Sequence, residues 1–181
     1  MGLFAKLFAV GFVLLQLLSC PGISAQESHT KSEPSTVRVG TFDSRLVATA
    51  YVRSQAFQLR LAKMQSELKD AKASGDDKRA KQLEAEGQAL QGQVHKQAFS
   101  TWPVHDILET IKEKMPEIAK QADVDLVVSK WDFVFLGTNV ETVDVTDLLV
   151  EPFSPTDETR NVLANLRERD PVPLDAIHKH N

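Results

Sequence analysis

Five histidines are scattered along the chain, at His29, His95, His105, His178 and His180, and none forms a His-x-x-x-His pair. Neither is there a Cys-x-x-Cys pair, so the spacings that bring zinc ligands together are missing. His178 and His180 could chelate weakly from the C-terminal tail, although a tail pair is more often simply solvated. Asp123 and Asp125 are close enough to suggest a general acid/base dyad. Their place at a helix-to-strand junction suits turn capping better. Cys20 is the sole cysteine, and no Gly-rich phosphate loop or Gly-x-Ser-x-Gly elbow is present. These residues lead us to expect no enzyme, no metal and no cofactor.

Binding chemistry has more to work with. Residues 53–96 carry nine Lys/Arg against six Asp/Glu, whereas residues 104–181 carry eight against sixteen. Lys69, Lys72, Lys78, Arg79 and Lys81 lie in the basic stretch and would draw acidic clients or an anionic membrane surface. The plainer alternative is a solvated helix face. Phe57, Met64 and Leu90 fall near a helical seam, and Trp102 stands beside Pro103, where a kink would turn it towards a partner. These four are the candidate apolar contacts. No nucleic-acid partner is expected.

The elements that must position these side chains are long helices. Leu46, Ala50, Phe57, Leu61, Met64, Leu68 and Ala71 repeat at spacings dominated by 3 and 4, with one residue of drift near Phe57. This heptad-like pattern with a stutter predicts one helix over about 44–73, roughly 45 Å long at 1.5 Å per residue. Ser74-Gly75-Asp76-Asp77 should end it, because Gly adopts the left-handed conformation of a helix end and Asp caps the next start. A second helix is predicted by Ala80, Leu83, Gly87, Leu90, Val94, Gln97, Thr101, Val104, Leu108, Ile111, Met115, Ile118 and Ala122, which keep strict 3-4 spacing. That phase survives Pro103 and Pro116, which favours a kinked helix, with a break at Trp102-Pro103 as the alternative.

Strands bracket the helices. Val37–Phe42 alternates and is β-branched, and Asp43 or Ser44 can cap the helix after it. Asp125–Ser129 reads as a second strand and Asp132–Leu136 as a third, with Lys130-Trp131 turning between them and Trp131 packed in the body. Val143–Val150 should begin a short helix, and Thr156 or Asp157 could cap a last one to about Glu168. The expected fold is therefore α+β: a long antiparallel helical hairpin, coiled-coil-like, projecting from a small β-sheet body. An isolated two-helix hairpin buries little, so oligomerisation at the base or a client between arms is expected.

The N-terminus reads as a leader. Lys6 precedes an apolar run from Leu7 to Leu18, and Ser19–Ala25 leads into polar Gln26-Glu27-Ser28. This is the layout of a cleavable signal over residues 1–25, with the cut between Ala25 and Gln26. The apolar core is shorter than the ~20 residues a spanning helix needs. Leu17-Leu18-Ser19-Cys20 also looks like a bacterial lipobox, which would instead tether the chain through Cys20. Residues 26–36 lack periodicity and read as a disordered lead-in. Residues 37–150 read as one domain, and 151–181 as an extension with one short helix and a flexible tail.

The order strand, long helix, turn, returning helix, strand, strand and closing motif resembles the Skp/OmpH family of periplasmic chaperones. Val37-Arg38-Val39-Gly40, Asp125-Leu126-Val127-Val128 and Asp144-Val145-Thr146-Asp147-Leu148-Leu149 carry the resemblance, which covers roughly 37–150. Residues 73–79 look like that family's arm tip. The resemblance implies an ATP-independent periplasmic holdase whose three subunits join their strands into a body and hold unfolded outer-membrane or envelope proteins between helical arms. It departs from the family in Pro103 and Pro116, in shorter arms, in an acidic body and in residues 151–181. The alternative function is a structural coiled-coil adaptor or spacer of the envelope with a dedicated folded partner. The matching alternative location is a lipid-anchored envelope protein.

Overall fold

A computed structural model describes residues 36–177. The expected cleavage point at Ala25-Gln26, Cys20, most of the lead-in, His178 and His180 lie outside the described residues. The fold is α+β, with a small sheet of three parallel strands in the order β2-β1-β3. β1 (Val37–Phe42) is the centre, paired through Val39 with Leu126 of β2 (Leu126–Ser129) and through Val39 with Thr142 of β3 (Val140–Asp144). Gly40 sits where three elements close in. A Cβ there would lie 3.2 Å from Val124 and Val145 side chains and 3.3 Å from Val127, so the central strand packs this tightly only without a side chain.

Asp43 starts α1 (Ser44–Arg53) by accepting a hydrogen bond from the Arg45 N–H. The helix does not run on to residue 73 as the heptad pattern predicted. Ser54 is extended, its hydroxyl donates to the Tyr51 carbonyl at 2.6 Å, and the same oxygen accepts the Phe57 N–H at 3.3 Å. A serine that serves both helix ends gives the backbone an alternative to the continuous ladder. The drift near Phe57 marks this break. α2 (Gln55–Ser74) follows and ends at Gly75 in the left-handed conformation, with the Asp76 N–H bonded to the Ala71 carbonyl. Asp76 then caps α3 (Asp77–Phe99). The turn lies where the sequence placed it.

The second long helix is also shorter than expected. Ser100 is extended, and the segment through Val104 is not helical. Pro103 biases Trp102 towards extended backbone, and buried Gln97 donates to the Pro103 carbonyl at 3.0 Å and to Asp106 at 2.7 Å, tying the corner. Pro103 thus breaks the helix. α4 (His105–Glu109), a 3-10 turn (Lys112–Lys114) and α5 (Met115–Ala122) take the place of a kinked rod. Pro116 lies in the first turn of α5, where its missing N–H has no helical partner to lose, so it initiates a helix instead of bending one. Ile111 and Ile118 keep their inward phase but bury against the sheet body.

The third strand is Val140–Asp144, not Asp132–Leu136. β2 and β3 are both parallel to β1, on opposite sides of it. After β2 the chain must therefore travel back along the sheet before β3 can begin beside Val37, and residues 130–139 make that return. A hairpin turn at Lys130-Trp131 would have produced an antiparallel neighbour. Asp144 ends β3 and accepts from both the Thr146 N–H and hydroxyl, starting α6 (Thr146–Val150), so the expected helix start at Val143 shifts by three residues.

The core gathers Phe42, Leu46, Val47, Ile107, Val145 and Leu149 with Phe153 and Leu163. The last two come from beyond residue 150. A 3-10 turn (Glu151–Phe153) leads to α7 (Asp157–Arg167), capped by Thr156, and the expected tail contains a second short helix, α8 (Leu174–Ile177). Among the described residues, no helix is long and apolar enough to cross a membrane.

Candidate functional site

α2 packs mainly on α3, and α3 packs on both α2 and α1. Ala71, Ala80 and Leu83 are buried between α2 and α3, with Met64 and Leu68 packed alongside. Lys72 pairs with Glu84 at 2.7 Å, and Arg79 with Glu67 at 2.9 Å and Glu86 at 3.8 Å. Two of the five basic candidates are therefore spent on holding the helices together. Lys69, Lys78 and Lys81 are exposed and make no ion pair among the described residues.

The apolar candidates divide in the same way. Phe57 is buried, edge-on to Tyr51 at 5.2 Å, and belongs to the base of the helices. Met64 and Leu90 are half-buried in the seam. The seam does not close around Gly87: a cavity of about 270 Å³ opens there between Phe57, Leu61, Leu90 and Val94. Trp102 is exposed at the break after α3, with the Lys96 ammonium 5.0 Å above its ring.

Three features escaped sequence reasoning. The first is a cleft of about 530 Å³ between α1, α3 and α7, walled by Val52, Val94, Phe99, Val162 and Leu166 and edged by Arg169. It shares Val94 and His95 with the seam cavity, so apolar surface continues from one to the other. Only the folding back of α7 creates it, and nothing in the periodicity of α1 or α3 signals that contact.

The second is the return segment after β2. Val134 and Phe135 are 101 % and 84 % exposed, beside a sheet whose outer strands pair with no further strand among the described residues. The strand-like composition was visible. Its lack of a strand partner among the described residues was not.

The third is a buried charge cluster at the end of β1. Asp43 and Arg45 are 2 % and 1 % exposed and join through two contacts, Nε to Oδ1 at 3.1 Å and Nη2 to Oδ2 at 2.7 Å. Lys130 reaches the same carboxylate at 2.8 Å, and Arg45 donates to the Arg169 carbonyl at 2.7 Å. Trp131 packs against both cations, 5.1 Å from Arg45 and 4.5 Å from Lys130. Burial pushes the Asp43 carboxyl up, but hydrogen bonds and charge from Arg45 and Lys130 outweigh it and hold the group below its ordinary range. Asp43 thus stays ionised, and the cluster carries one positive charge in excess. The Asp43-Ser44-Arg45 run at a helix start was the available signal, since the cap residue and a cation lie two positions apart.

Asp123 and Asp125 are both occupied by Arg38. Asp123 ion-pairs with its guanidinium from a left-handed helix end, and Asp125 accepts the Arg38 N–H at 2.9 Å. They cap and register β2 against β1, as the junction suggested. Among the described residues, no three His, Cys, Asp or Glu side chains are grouped to hold a metal ion. Comparison with protein-family models, curated proteins and solved structures returns no match to this chain.

Proposed function

We propose that this protein is a non-enzymatic holdase that shelters unfolded envelope proteins. In this reading α2 and α3 form an antiparallel arm standing on the sheet body, and the client lies along its base. The observation that carries the reading is the apolar surface running from the cleft beside α7 onto the open α2–α3 seam. Phe99, 51 % exposed, forms part of it. Surface of this kind marks a binding site more often than it marks a defect. Lys69, Lys78 and Lys81 would add attraction for acidic segments or anionic headgroups, screened by salt.

The same proposal includes self-association. Val134, Phe135 and Leu136 offer a second copy of the chain an apolar strand-forming segment, next to sheet edges that no strand among the described residues covers. A trimer would present several arms, and many weak contacts would then combine into useful avidity. The signal-like N-terminus supports a periplasmic location.

The test dilutes several urea-unfolded outer-membrane proteins into buffer with this protein and follows turbidity. A holdase suppresses aggregation of all of them near stoichiometric ratios. Suppression of none, with tight binding of one folded partner, would establish the adaptor reading instead. Size-exclusion with light scattering on the same samples reports the oligomer, and a monomer at every concentration would sink the assembly.

A further inference from the structure

The cleft between α1, α3 and α7 differs from one end to the other. Arg169 lines it just past the end of α7, where the Phe99 carbonyl accepts the Val172 N–H at 2.8 Å and holds the two segments together. In the other direction along α3, the apolar wall passes Val94 into the seam cavity that opens at Gly87. Phe99 and Gly87 lie ~18 Å apart along the helix. Arg53, His95 and Arg169 are the ionisable lining groups, and all three are bases. No Asp or Glu among the described residues lines either the cleft or the seam cavity.

The cations are not equally available. Arg53 is engaged, donating to Glu158 at 2.5 Å and to Thr159 at 3.3 Å. The Arg169 guanidinium is exposed and has no hydrogen-bond or ion-pair partner among the described residues. Its neighbours Glu168 and Asp170 are exposed and lie outside the lining. One uncommitted cation therefore stands at the end of a long apolar wall. Thr49 and Asn165 are the uncharged polar side chains of that wall. A peptide backbone laid inside would leave N–H and C=O groups short of partners, so a client can offer the cleft side chains only. An acyl chain carries no such groups and gains about fourfold in affinity for each methylene it buries. Arginine suits a carboxylate head, which it can hold through two parallel N–H bonds. The cleft's volume of about 530 Å³ is that of a small-ligand site.

We infer that the cleft binds a long-chain carboxylate, a free fatty acid, with its head on Arg169 and its tail along Val94 towards the opening at Gly87. The site goes beyond the holdase reading and does not depend on it. A bound acid would cover the surface proposed for clients and compete with them there.

Isothermal titration with sodium laurate, sodium octanoate and dodecanol, each below its micelle or solubility limit, tests this. Laurate should fill a single saturable site. Octanoate should bind at least tenfold more weakly, because its shorter tail buries fewer methylenes. Dodecanol should also bind about tenfold more weakly or worse, because it lacks the charge that strengthens a hydrogen bond to arginine. Arg169→Ala should bring laurate down to the level of dodecanol and leave dodecanol unchanged, a pattern that a damaged fold would not give. Gly87→Leu has room for its Cβ, with Met64 Sδ nearest at 3.9 Å, and by filling the seam it should narrow the advantage of laurate over octanoate. The assignment is overturned if laurate gives no saturable isotherm, if dodecanol binds as well, or if either substitution leaves laurate binding as it was. Binding to phosphatidylglycerol vesicles without binding to monomeric laurate overturns it too, and makes the surface a membrane contact. No client is present in these titrations. Intact laurate binding with failed suppression of aggregation would therefore sink the holdase alone, and the reverse would sink the fatty-acid site alone.

Discussion

In the sheet body, Leu46, Val145 and Leu149 have no exposed surface, and strands, α1, α6 and α7 all press on them. Between Phe57 and Gln97, by contrast, only Ala71, Ala80 and Leu83 are buried, although α2 and α3 run for twenty and twenty-three residues. The body is held by contacts between residues distant in sequence. The helix pair is held by a cap, a left-handed glycine, three small or medium apolar residues and exposed ion pairs. The difference teaches that the tightly packed region and the half-covered apolar surface are kept apart. Apolar side chains that the pair leaves half-covered are available to bind, and the body tolerates that because its stability comes from elsewhere.

The sharpest way to break the comparison is at the buried cluster. Arg45→Met leaves Asp43 to Lys130 alone and the Arg169 carbonyl without its donor, and should cost about 3–5 kcal/mol in urea unfolding. A loss below 1 kcal/mol would mean that the cluster is not the clamp between β1, α1 and the end of α7. Leu149→Ala should cost about 2–5 kcal/mol for the cavity it leaves in the core. A smaller loss would show that the body collapses around vacancies and is less tightly packed than its burial indicates.

Acid should act on the body first. Asp43 has a folded-state pKa below its ordinary 3.8, so its stabilisation is complete above that value and is lost as pH falls through the lower folded value. Asp43→Asn should remove this part of the loss as pH falls below 3.8, giving a flatter acid-side stability curve than the original protein. Equal slopes would exclude Asp43 as a contributor. At the tip of the pair, Gly75→Ala forces a side chain into the left-handed region and should cost about 1–2 kcal/mol. Loss of amide protection confined to α2 and α3 would sharpen the view that the two regions unfold separately. Smallest of all, Lys72→Ala removes an exposed pair and should change stability by about 1 kcal/mol or less. A larger effect would mean that ion pairs, and not Leu83 and its neighbours, hold the helices together.

Much of the candidate surface could be read from residue types, but its partition could not. Met64 and Leu90 lie in the seam that their spacing predicts, because a 3-4 repeat places side chains on one helix face whatever surrounds it. Phe57 belongs to the same repeat yet is sealed by Tyr51, a contact that depends on the break at Ser54. Lys72 and Arg79 look as free as Lys69 and Lys78 along the chain, and only the pairing of α2 with α3 shows which cations are used internally.

The sequence by itself determined what a few neighbouring residues can settle. These are the first strand, a cap at Asp43 or Ser44, the turn after Ser74, a strand over Asp125–Ser129 and a cap at Thr156 or Asp157, of which the structure uses Asp43 and Thr156. Each rests on local backbone preference or on a side chain bonding within a few residues. Tertiary structure alone decided the parallel order β2-β1-β3, which turned Asp132–Leu136 from strand into return path. It decided the corner at Ser100–Val104, where buried Gln97 bonds to the chain ahead of it. It also buried Arg45 and created the cleft under α7. Heptad spacing records which residues face inward, and it is silent about what they face. Ile111 and Ile118 satisfy the same periodicity against a sheet as they would against a partner helix.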